Sequence, residues 1–279
     1  MQSELIITPS EDGLTLGAVL KRRGFSRRLT VRLKHTEGGI TRGGTLLRTV
    51  DKVSAGDRVL LFCKEESRLE PSSGLTVPIL YEDGSAVVFD KPPGMTVHPS
   101  MKHHGDTLGN YFSALYPQLV FRPVSRLDRD TSGCVIIAKT QFAAAALQRN
   151  FGKEYLALCC GHPKGSIIEA PIAREKGSLI KRCVRADGKP AVTEFEVIAS
   201  SEKYSLCRVM PLTGRTHQIR VHFAYIGCPL AGDGLYGGSM EDMSRQALHC
   251  AKVSFETPSG GKVTVTSPEP EFVRLAEKL

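Results

Sequence analysis

The densest group of chemically capable side chains lies in RPVSRLDRDTSGCVIIAKT, residues 122–140. Arg126, Asp128 and Arg129 stand together just before an apolar stretch that is typical of a buried strand. Neighbouring guanidinium groups favour the charged form of a carboxyl group, and an ionised carboxylate can act as a nucleophile or a general base. The alternative is a surface turn whose polar side chains bond to nearby backbone amides. These residues alone leave both interpretations open.

A second polar group lies in PLTGRTHQIRVHFAYIGCPLAGDGLYGG, residues 211–238. The pattern predicts that Thr213 caps a helix starting after Gly214, with His217 and Arg220 on one polar stripe of that helix. The glycine-rich end of the segment has neither the GxxxxGKS nor the GxGxxG spacing. Nucleotide binding by a phosphate loop is therefore not expected.

The histidines and cysteines do not have the spacing of a metal site. Neither a zinc module nor an HExxH motif is formed by the candidate ligands His98, His103, His104, His217 and His222. We therefore expect no metal.

A third segment, DKPPGMTVHPS at residues 90–100, has two prolines and a glycine after an apolar strand, which favours a rigid structural turn.

Composition limits the classes of protein to which the chain can belong. Of its 279 residues, 41% are hydrophobic, which is enough for a packed core. No stretch reaches the roughly 18 apolar residues of a membrane helix, and the N-terminus lacks the pattern of a secretion signal. The eight cysteines lie mostly in apolar runs without a CxxC motif, which indicates reduced thiols in a cytoplasmic protein.

Positive charge is concentrated near the N-terminus. The formal net charge is +8, and residues 1–65 contain twelve Lys and Arg against seven Asp and Glu. Within them the segment KRRGFSRRLTVRLK, residues 21–34, has seven basic residues and no acidic residue. Clustered cations favour a polyanionic partner, most simply nucleic acid. A solvated basic helix face is the alternative.

The elements that must position these residues divide into a small module and a larger domain. Residues 1–65 are predicted to form two helices, LTLGAVLKRR and SRRLTVRLKH, followed by short strands. Residues 66–78 have the composition of a linker. Residues 79–279 have few strands in βαβ alternation, which argues against a doubly wound parallel sheet and predicts an α+β domain. Residues 191–199 and 203–211 are predicted to pair as a hairpin.

Four blocks of this sequence, in this order, resemble the RluA-type family of pseudouridine synthases. They are DKPPGMTVHP, PVSRLDRDTSG, KEYLALCCG, and PLTGRTHQIRVHF with GCPLAGDGLYGG, and they span about residues 80–270. Residues 1–65 resemble, more loosely, a small RNA-binding module shared with a ribosomal protein of the small subunit. Together with this pattern, the resemblance implies the pseudouridine synthase catalytic fold, an α+β architecture with a mixed, largely antiparallel central sheet and surrounding helices. It also implies an isomerase that converts uridines of structured RNA to pseudouridine without a cofactor.

The resemblance also implies roles for individual residues. Asp128 matches the nucleophilic carboxylate, Tyr155 the tyrosine against the target base, and Arg220 the arginine that pairs with the nucleophile. Further contacts are expected with the substrate from Arg126, which in the family can occupy the space left by the flipped base, and from Thr131, Arg215 and His217. Contacts with RNA are expected from the basic segment, namely Lys21, Arg22, Arg23, Arg27, Arg28 and Arg32.

One residue departs from the family pattern, and the RNA is not defined by the motifs. Ser125 stands where a histidine is common in the family. Members of the family modify ribosomal or transfer RNA. The basic N-terminal module favours ribosomal RNA of the large subunit, which would be the substrate of a cytoplasmic monomer.

Two other classes of function compete with this hypothesis. The first is an RNA-binding protein without activity, against which the intact Asp128, Tyr155 and Arg220 argue. The second is a glycoside hydrolase that would use Asp128 with Asp130. Two carboxylates only two residues apart on a turn rarely flank a bond at the roughly 5–9 Å separation that such enzymes use.

Overall fold

The computed structural model describes residues 2–63, 69–100, 103–149, 151–258 and 260–277. In these ranges the chain forms fifteen strands and six α-helices. The N-terminal elements are β1 (Gln2–Ile6), α1 (Leu16–Arg22), α2 (Arg27–His35), β2 (Ile40–Arg42), β3 (Thr45–Leu46) and β4 (Arg58–Phe62). The others are β5 (Ile79–Glu82), β6 (Ala86–Lys91), α3 (Leu108–Leu115), β7 (Ser132–Ala138), α4 (Gln141–Leu147), β8 (Phe151–Cys160), β9 (Ile167–Glu169), β10 (Ile172–Arg174), β11 (Arg182–Val184), β12 (Val192–Ser200), β13 (Tyr204–Pro211), α5 (Gln218–Tyr225), β14 (Leu248–Glu256), β15 (Lys262–Thr266) and α6 (Val273–Glu277).

The N-terminal elements share a small core of their own. Their four strands pair in the order β1-β4-β2-β3. Each helix begins at a hydroxyl N-cap, where Thr15 accepts the Ala18 N–H and Ser26 accepts the Leu29 N–H. Both helices turn their leucines inward onto the strands, and the buried residues include Leu16, Val19, Leu20, Leu29, Leu33, Val59 and Leu61. The apolar spacing of the sequence accounts for this arrangement.

A larger sheet organises the rest of the chain. Over the described residues it has nine strands in the order β5-β6-β7-β14-β8-β13-β12-β9, with β15 paired to β14 beside this path. All pairs are antiparallel except β7 with β14, which are parallel. The predicted mixed, largely antiparallel sheet is therefore confirmed, and β12 and β13 form the predicted hairpin. Strand β7 is buried along its whole length, which explains its unbroken apolar sequence.

The entry of β7 into the sheet requires a glycine. Ser132 and Gly133 pair with His249 and Cys250 of β14 at the start of the parallel ladder. Gly133 has φ +103°, a conformation that residues with a side chain rarely adopt, and a Cβ at this position would overlap the Cys250 carbonyl oxygen. The polar loop before β7 therefore ends at a fixed point of the sheet.

The segment 66–78, predicted as a linker, packs against helix α3 over its described part. The Ser72 N–H donates to the Asn110 carbonyl oxygen at 3.1 Å, and Asn110 Nδ2 donates to the Glu70 carbonyl oxygen at 2.8 Å. Val77 is buried in the core of the larger sheet. The first three residues of the segment lie outside the described ranges.

Helix α4 connects the N-terminal elements to the larger sheet. Phe142 belongs to the core of the N-terminal elements, and its ring lies 5.5 Å from the ring of Phe25. Beyond the end of the helix, the Arg149 guanidinium donates to the carbonyl oxygens of Lys21 at 3.1 Å and Arg22 at 2.6 Å. Specific contacts thus attach the segment 21–34 to helix α4 and to Arg149 beyond it.

The cysteines and the helices give two further facts. All eight cysteines lie in the described part of the chain as thiols outside disulfide bonds, and six of them are buried. Within the described part of the chain, every helix is too short or too polar to cross a membrane.

Candidate active site

A cleft of about 630 Å³ brings together the segments that the sequence singles out. Its walls come from the loop after β6, the loop before β7, strand β8 and the start of α5. Asp128 is the only carboxylate among the described lining residues, whereas five cations line the cleft, namely Arg126, Arg129, Lys153, Arg215 and Arg220. This excess of positive charge favours a polyanionic ligand.

Asp128 lies on the loop that leads into β7. Its Oδ2 accepts a hydrogen bond from Arg220 Nη1 at 3.1 Å, and its side chain remains 26% exposed to the cleft. The Thr131 N–H donates to the Asp128 carbonyl oxygen at 3.2 Å, which closes a turn around the carboxylate. The expected contact between Asp128 and Arg220 is therefore present.

Arg220 is held from a second direction by Asp233. Its Nε and Nη2 donate to the two carboxylate oxygens of Asp233 at 2.7 Å and 2.8 Å, and both side chains are almost fully buried. Burial opposes the charge of Arg220, but its hydrogen bonds with Asp233 and the charges of Asp233 and Asp128 outweigh burial and raise the pKa of Arg220. One guanidinium thus links a buried carboxylate to the carboxylate in the cleft.

The predicted start of α5 is wrong. The helix begins at Gln218, because His217 precedes it in the left-handed conformation, with φ +58°. The Thr213 hydroxyl does not cap the helix but donates to Gln218 Oε1 at 2.7 Å and accepts the Val192 N–H at 3.0 Å. The turn places His217 Nε2 3.8 Å from Asp128 Oδ2, rather than on a stripe along the helix.

Tyr236 completes the site from the glycine-rich loop. Its hydroxyl lies 2.8 Å from His217 Nδ1 and accepts the Arg182 N–H at 3.0 Å. Its ring lies under the Arg220 guanidinium, 5.1 Å from ring centroid to Cζ. Burial, with the charges of Arg220 and Arg182, lowers the pKa of His217, so its neutral imidazole is favoured.

Lys91 ties a second loop to the one that bears Asp128. Its side chain is fully buried, and its Nζ donates to the carbonyl oxygens of Pro92 at 2.7 Å, Met95 at 2.8 Å and Arg129 at 3.0 Å. Three acceptors match the three donors of an ammonium group. Burial lowers the pKa of Lys91 to about 7. The DKPPGM segment is thus a rigid turn, as predicted, and its lysine connects it to the site.

Sequence reasoning did not assign Asp233, Tyr236 or Lys91 to the site. Asp233 and Tyr236 belong to the GDGLY stretch, whose spacing excludes a phosphate loop and whose place in the resemblance gives neither residue a role. The burial of Asp233, which requires a partner for its charge, exists only in the folded chain, so the sequence carries no signal for its role.

The other predicted substrate contacts occupy different places. Arg126 is exposed at the cleft, where burial and the Arg126 charge lower the pKa of His98. Arg215 lines the cleft and donates from Nε to the Pro190 carbonyl oxygen at 2.9 Å. Thr131 lines the cleft too, but it is buried and its hydroxyl accepts Gln246 Nε2 at 3.3 Å. The geometry of Thr131 is that of a residue that supports the Asp128 loop.

Ser125 has a structural partner in this chain. It is buried, and its hydroxyl accepts the Ile136 N–H of β7 at 3.2 Å. The hydroxyl therefore satisfies a backbone donor of the central sheet and holds the loop to β7.

Tyr155 lines the cleft from β8 and is 5% exposed, and burial raises its pKa.

The six basic residues predicted to contact RNA fall into two groups. Arg23 Nε and Nη2 donate to the Glu11 carboxylate at 2.7 Å and 2.6 Å, and Nη2 also donates to the Ile6 carbonyl oxygen at 2.7 Å. This half-buried guanidinium is engaged with other N-terminal elements and is less available to RNA than its neighbours, and the RNA contact expected from Arg23 stays a prediction. The side chains that are exposed as expected are Lys21, Arg22, Arg27, Arg28 and Arg32.

Comparison with known proteins identifies the family. Residues 85–225 match the family model described as RNA pseudouridylate synthase. The chain is 36% identical over 248 residues to the uncharacterised RNA pseudouridine synthase YjbO of Bacillus subtilis, with 84% of this chain and 88% of the relative covered. The chain belongs to the RNA pseudouridylate synthase family.

Further relatives of this pseudouridine synthase agree. It is 35% identical over 256 residues to the ribosomal large subunit pseudouridine synthase D of Pasteurella multocida, covering 82% of this chain and 79% of the relative. Its fold matches that of human RNA pseudouridylate synthase domain containing 1, with a TM-score of 0.60, 29% identity, and coverage of 72% of this chain and 87% of the other. The RluA-type resemblance and the predicted fold class are confirmed.

Family membership decides between the classes of function. The protein is an enzyme that isomerises uridine in RNA, so the hypothesis of an inactive RNA-binding protein is excluded. The glycoside hydrolase hypothesis also lacks its second carboxylate. Asp130 accepts two hydrogen bonds from its neighbour Arg129, at 2.9 Å and 3.1 Å, and is not among the described residues that line the cleft.

Proposed function

We propose that this enzyme converts specific uridines of a structured RNA, with large-subunit ribosomal RNA favoured over transfer RNA, and that Asp128 is its nucleophile or base. The observation that carries the proposal is the Asp128 carboxylate, which lies 3.1 Å from Arg220 in a cleft lined by cations. Among the described residues Oδ2 has partners within 4 Å, whereas Oδ1 has no hydrogen bond. One oxygen is thus oriented and the other is available to the substrate.

The reaction needs positioning more than added reagents. The N1–C1′ bond of uridine breaks, the uracil rotates, and a C5–C1′ bond forms, while the proton at C5 is lost and N1 gains one. Atoms and electrons balance without an oxidant, a reductant or a transferred group, so we expect no cofactor. Asp128 either attacks C1′ or assists elimination to a glycal, and Arg220 holds it in place for either route.

The target base must leave its stack to reach this carboxylate. Extrusion of a nucleotide costs a few kcal/mol of unstacking. Tyr155 would lie against the extruded uracil from β8, and Arg126, exposed beside the loop, would occupy the vacated space. Arg215 and His217 line the same cleft and would contact the substrate.

The choice of RNA rests on two observations. Relatives that align along most of this chain are named for the large ribosomal subunit. The exposed cations of the N-terminal elements would add phosphate contacts outside the cleft, from Lys21, Arg22, Arg27, Arg28 and Arg32. We expect a monomer that acts in the cytoplasm, where ribosomal RNA is made and modified.

Pseudouridine mapping of total RNA from a deletion strain tests the proposal. We expect one or a few uridines of large-subunit ribosomal RNA to lose modification, and the wild-type gene, but not one carrying Asp128→Asn, to restore them. An unchanged ribosomal RNA map with a lost transfer RNA site would overturn the preferred substrate. Incubation with RNA that contains 5-fluorouridine provides a direct assay, because only a synthase is expected to process it.

A further inference from the structure

Strand β8 presents a row of three side chains to the cleft. Phe151, Lys153 and Tyr155 are two residues apart, so they project from the same face of the strand, and all three line the cleft. The Lys153 Nζ lies 5.8 Å from the ring centroid of Phe151 and 5.7 Å from that of Tyr155. The ammonium group is therefore placed between the two rings.

Lys153 has no counter-ion of its own. Among the described residues, its Nζ has neither a hydrogen bond nor a carboxylate within 4 Å. By contrast, Glu154 on the opposite face pairs with Lys252 at 3.1 Å and Arg208 at 3.6 Å. Burial lowers the pKa of Lys153, and the charge of Asp128, which forms no ion pair with Lys153, offsets this shift only in part. Because a desolvated charge without a partner is unfavourable, a ligand that carries negative charge would relieve this cost.

The position of Lys153 along the strand suggests which negative charge this is. Strand residues rise about 3.3 Å each, so the backbone of Lys153 lies roughly 7 Å from that of Tyr155. When a nucleotide has its base on Tyr155, its nearest formal negative charges are the phosphodiester groups on either side of its ribose. Asp128 faces the ribose in the same cleft and carries the wrong sign to receive them.

We propose that Lys153 binds a phosphodiester group adjoining the uridine that Tyr155 receives. The proposal rests on the proposed function, because it presumes that an RNA strand occupies the cleft. It assigns to β8 a backbone subsite in addition to the base contact of Tyr155. Phe151, on the other side of the ammonium group, shields this subsite from solvent.

The competing role for Lys153 is a contact with a carbonyl oxygen of the uracil. Kinetic measurements distinguish this contact from a phosphate contact. A phosphate contact is made equally in the ground state and the transition state, so its loss weakens binding and leaves kcat nearly unchanged. A carbonyl contact would strengthen as the leaving uracil gains negative charge. Its loss would lower kcat instead.

The first test uses the full-length protein and an RNA that contains a mapped target uridine. Lys153→Met removes the charge and keeps the length of the side chain, Lys153→Arg keeps the charge, and Lys252→Met is the matched control on the outer face of the sheet. We expect Lys153→Met to weaken RNA binding about tenfold and to reduce the slope of log affinity against log salt by about 0.7–0.9, the value for one phosphate. Lys153→Arg and Lys252→Met should retain the wild-type slope.

The second test locates the phosphate. A neutral methylphosphonate replaces each phosphodiester group flanking the target uridine in turn, and binding is measured in the Asp128→Asn background to prevent turnover. At one of the two positions the RNA change and Lys153→Met should be non-additive. Additive effects at both positions, or a loss of kcat at unchanged affinity, would overturn the proposal. Failure of the proposed function is distinguishable, because it would appear as wild-type protein that forms no pseudouridine.

Discussion

Asp233 accepts two hydrogen bonds from Arg220, at 2.7 Å and 2.8 Å, and leaves Nη1 of that arginine to donate to Asp128. A guanidinium held at two of its three nitrogens has little freedom to rotate, which fixes the Asp128 carboxylate at the third nitrogen. The ion pair with Asp233 also allows Arg220 to stay charged at the bottom of the cleft. Removal of either residue would leave the charge of the other buried without this partner. The position of the proposed nucleophile therefore depends on a loop residue 105 positions further along the chain.

Asp128→Asn should reduce pseudouridine formation to below about one per cent of wild type, while RNA affinity stays within a few fold. The amide preserves the shape of the side chain but has no anionic oxygen to attack C1′ or to accept a proton. Single-turnover assays and binding assays on one RNA measure both effects. Asp130→Asn is the control, because that carboxylate is held by Arg129. Comparable losses of activity in the two variants would contradict the assignment.

Arg220→Ala should lower the rate by several orders of magnitude, and Asp233→Asn by about 10–100-fold. Asparagine retains one acceptor for Arg220, so the guanidinium shifts rather than disappears, and misplacement by about 1 Å costs roughly 100-fold. The Asp233→Asn effect should fall on kcat and leave the KM for RNA nearly unchanged, since Asp233 is buried beneath the cleft. A KM effect with normal kcat would show that Asp233 acts on RNA binding instead.

The sequence anticipated the local elements and motifs better than the long-range contacts. The helices α1 and α2 and the strands β6, β7, β12 and β13 follow from apolar spacing, hydroxyl caps and turn residues. The three-residue strands β9, β10 and β11 are too short for a period to be recognised. The parallel pairing of Ser132 with His249 joins segments 117 residues apart, which no local pattern encodes.

The candidate active site shows the same contrast between local motifs, which the sequence predicts, and long-range contacts, which it does not. Asp128, Tyr155 and Arg220 stand in recognisable motifs, and the structure brings them to one cleft. Asp233 was missed because its role exists only once the fold carries it to Arg220. The predicted helix cap at Thr213 was wrong because the Thr213 hydroxyl donates to the Gln218 side chain instead. Sequence rules for helix starts do not take account of such a competing side chain.

His249 should make stability depend on pH below neutrality. It is buried beside Ser132, with Nδ1 2.9 Å from the hydroxyl, and burial lowers its pKa from 6.5 to about 4. As pH falls through 6.5, the unfolded chain takes up a proton that the folded chain does not, so stability is lost between about pH 6.5 and 4. Between pH 7 and 5 this histidine should account for a loss of about 2 kcal/mol.

Urea unfolding at several pH values checks this expectation. His249→Gln should flatten the pH dependence by that amount, whatever its effect on stability at pH 7. His35→Gln, at an exposed position on α2, is the control and should leave the dependence unchanged. An unaltered pH dependence in the His249 variant would show that the imidazole titrates alike in the folded and unfolded chains.

The N-terminal module is best tested without removing it. Deletion of residues 1–65 would uncover Phe142 and leave Arg149 without its carbonyl partners, so lost activity would report damage to the fold as well as lost RNA contacts. Arg27 and Arg28 offer a cleaner change. They are exposed in the first turn of α2, where positive charge opposes the helix dipole, so they do not serve the stability of the helix.

Arg27→Gln with Arg28→Gln should therefore weaken RNA binding while leaving the unfolding free energy unchanged or slightly raised. If each arginine neutralises one phosphate, the slope of log affinity against log salt should fall by about 1.4–1.8. Arg23→Gln supplies the contrast: it breaks the Glu11 ion pair, so it should lower stability and leave the slope of the remaining folded protein nearly intact. Identical slopes for the double variant and wild type would mean that this face of α2 does not reach the phosphates, and the RNA-binding role of the module would then have to be abandoned.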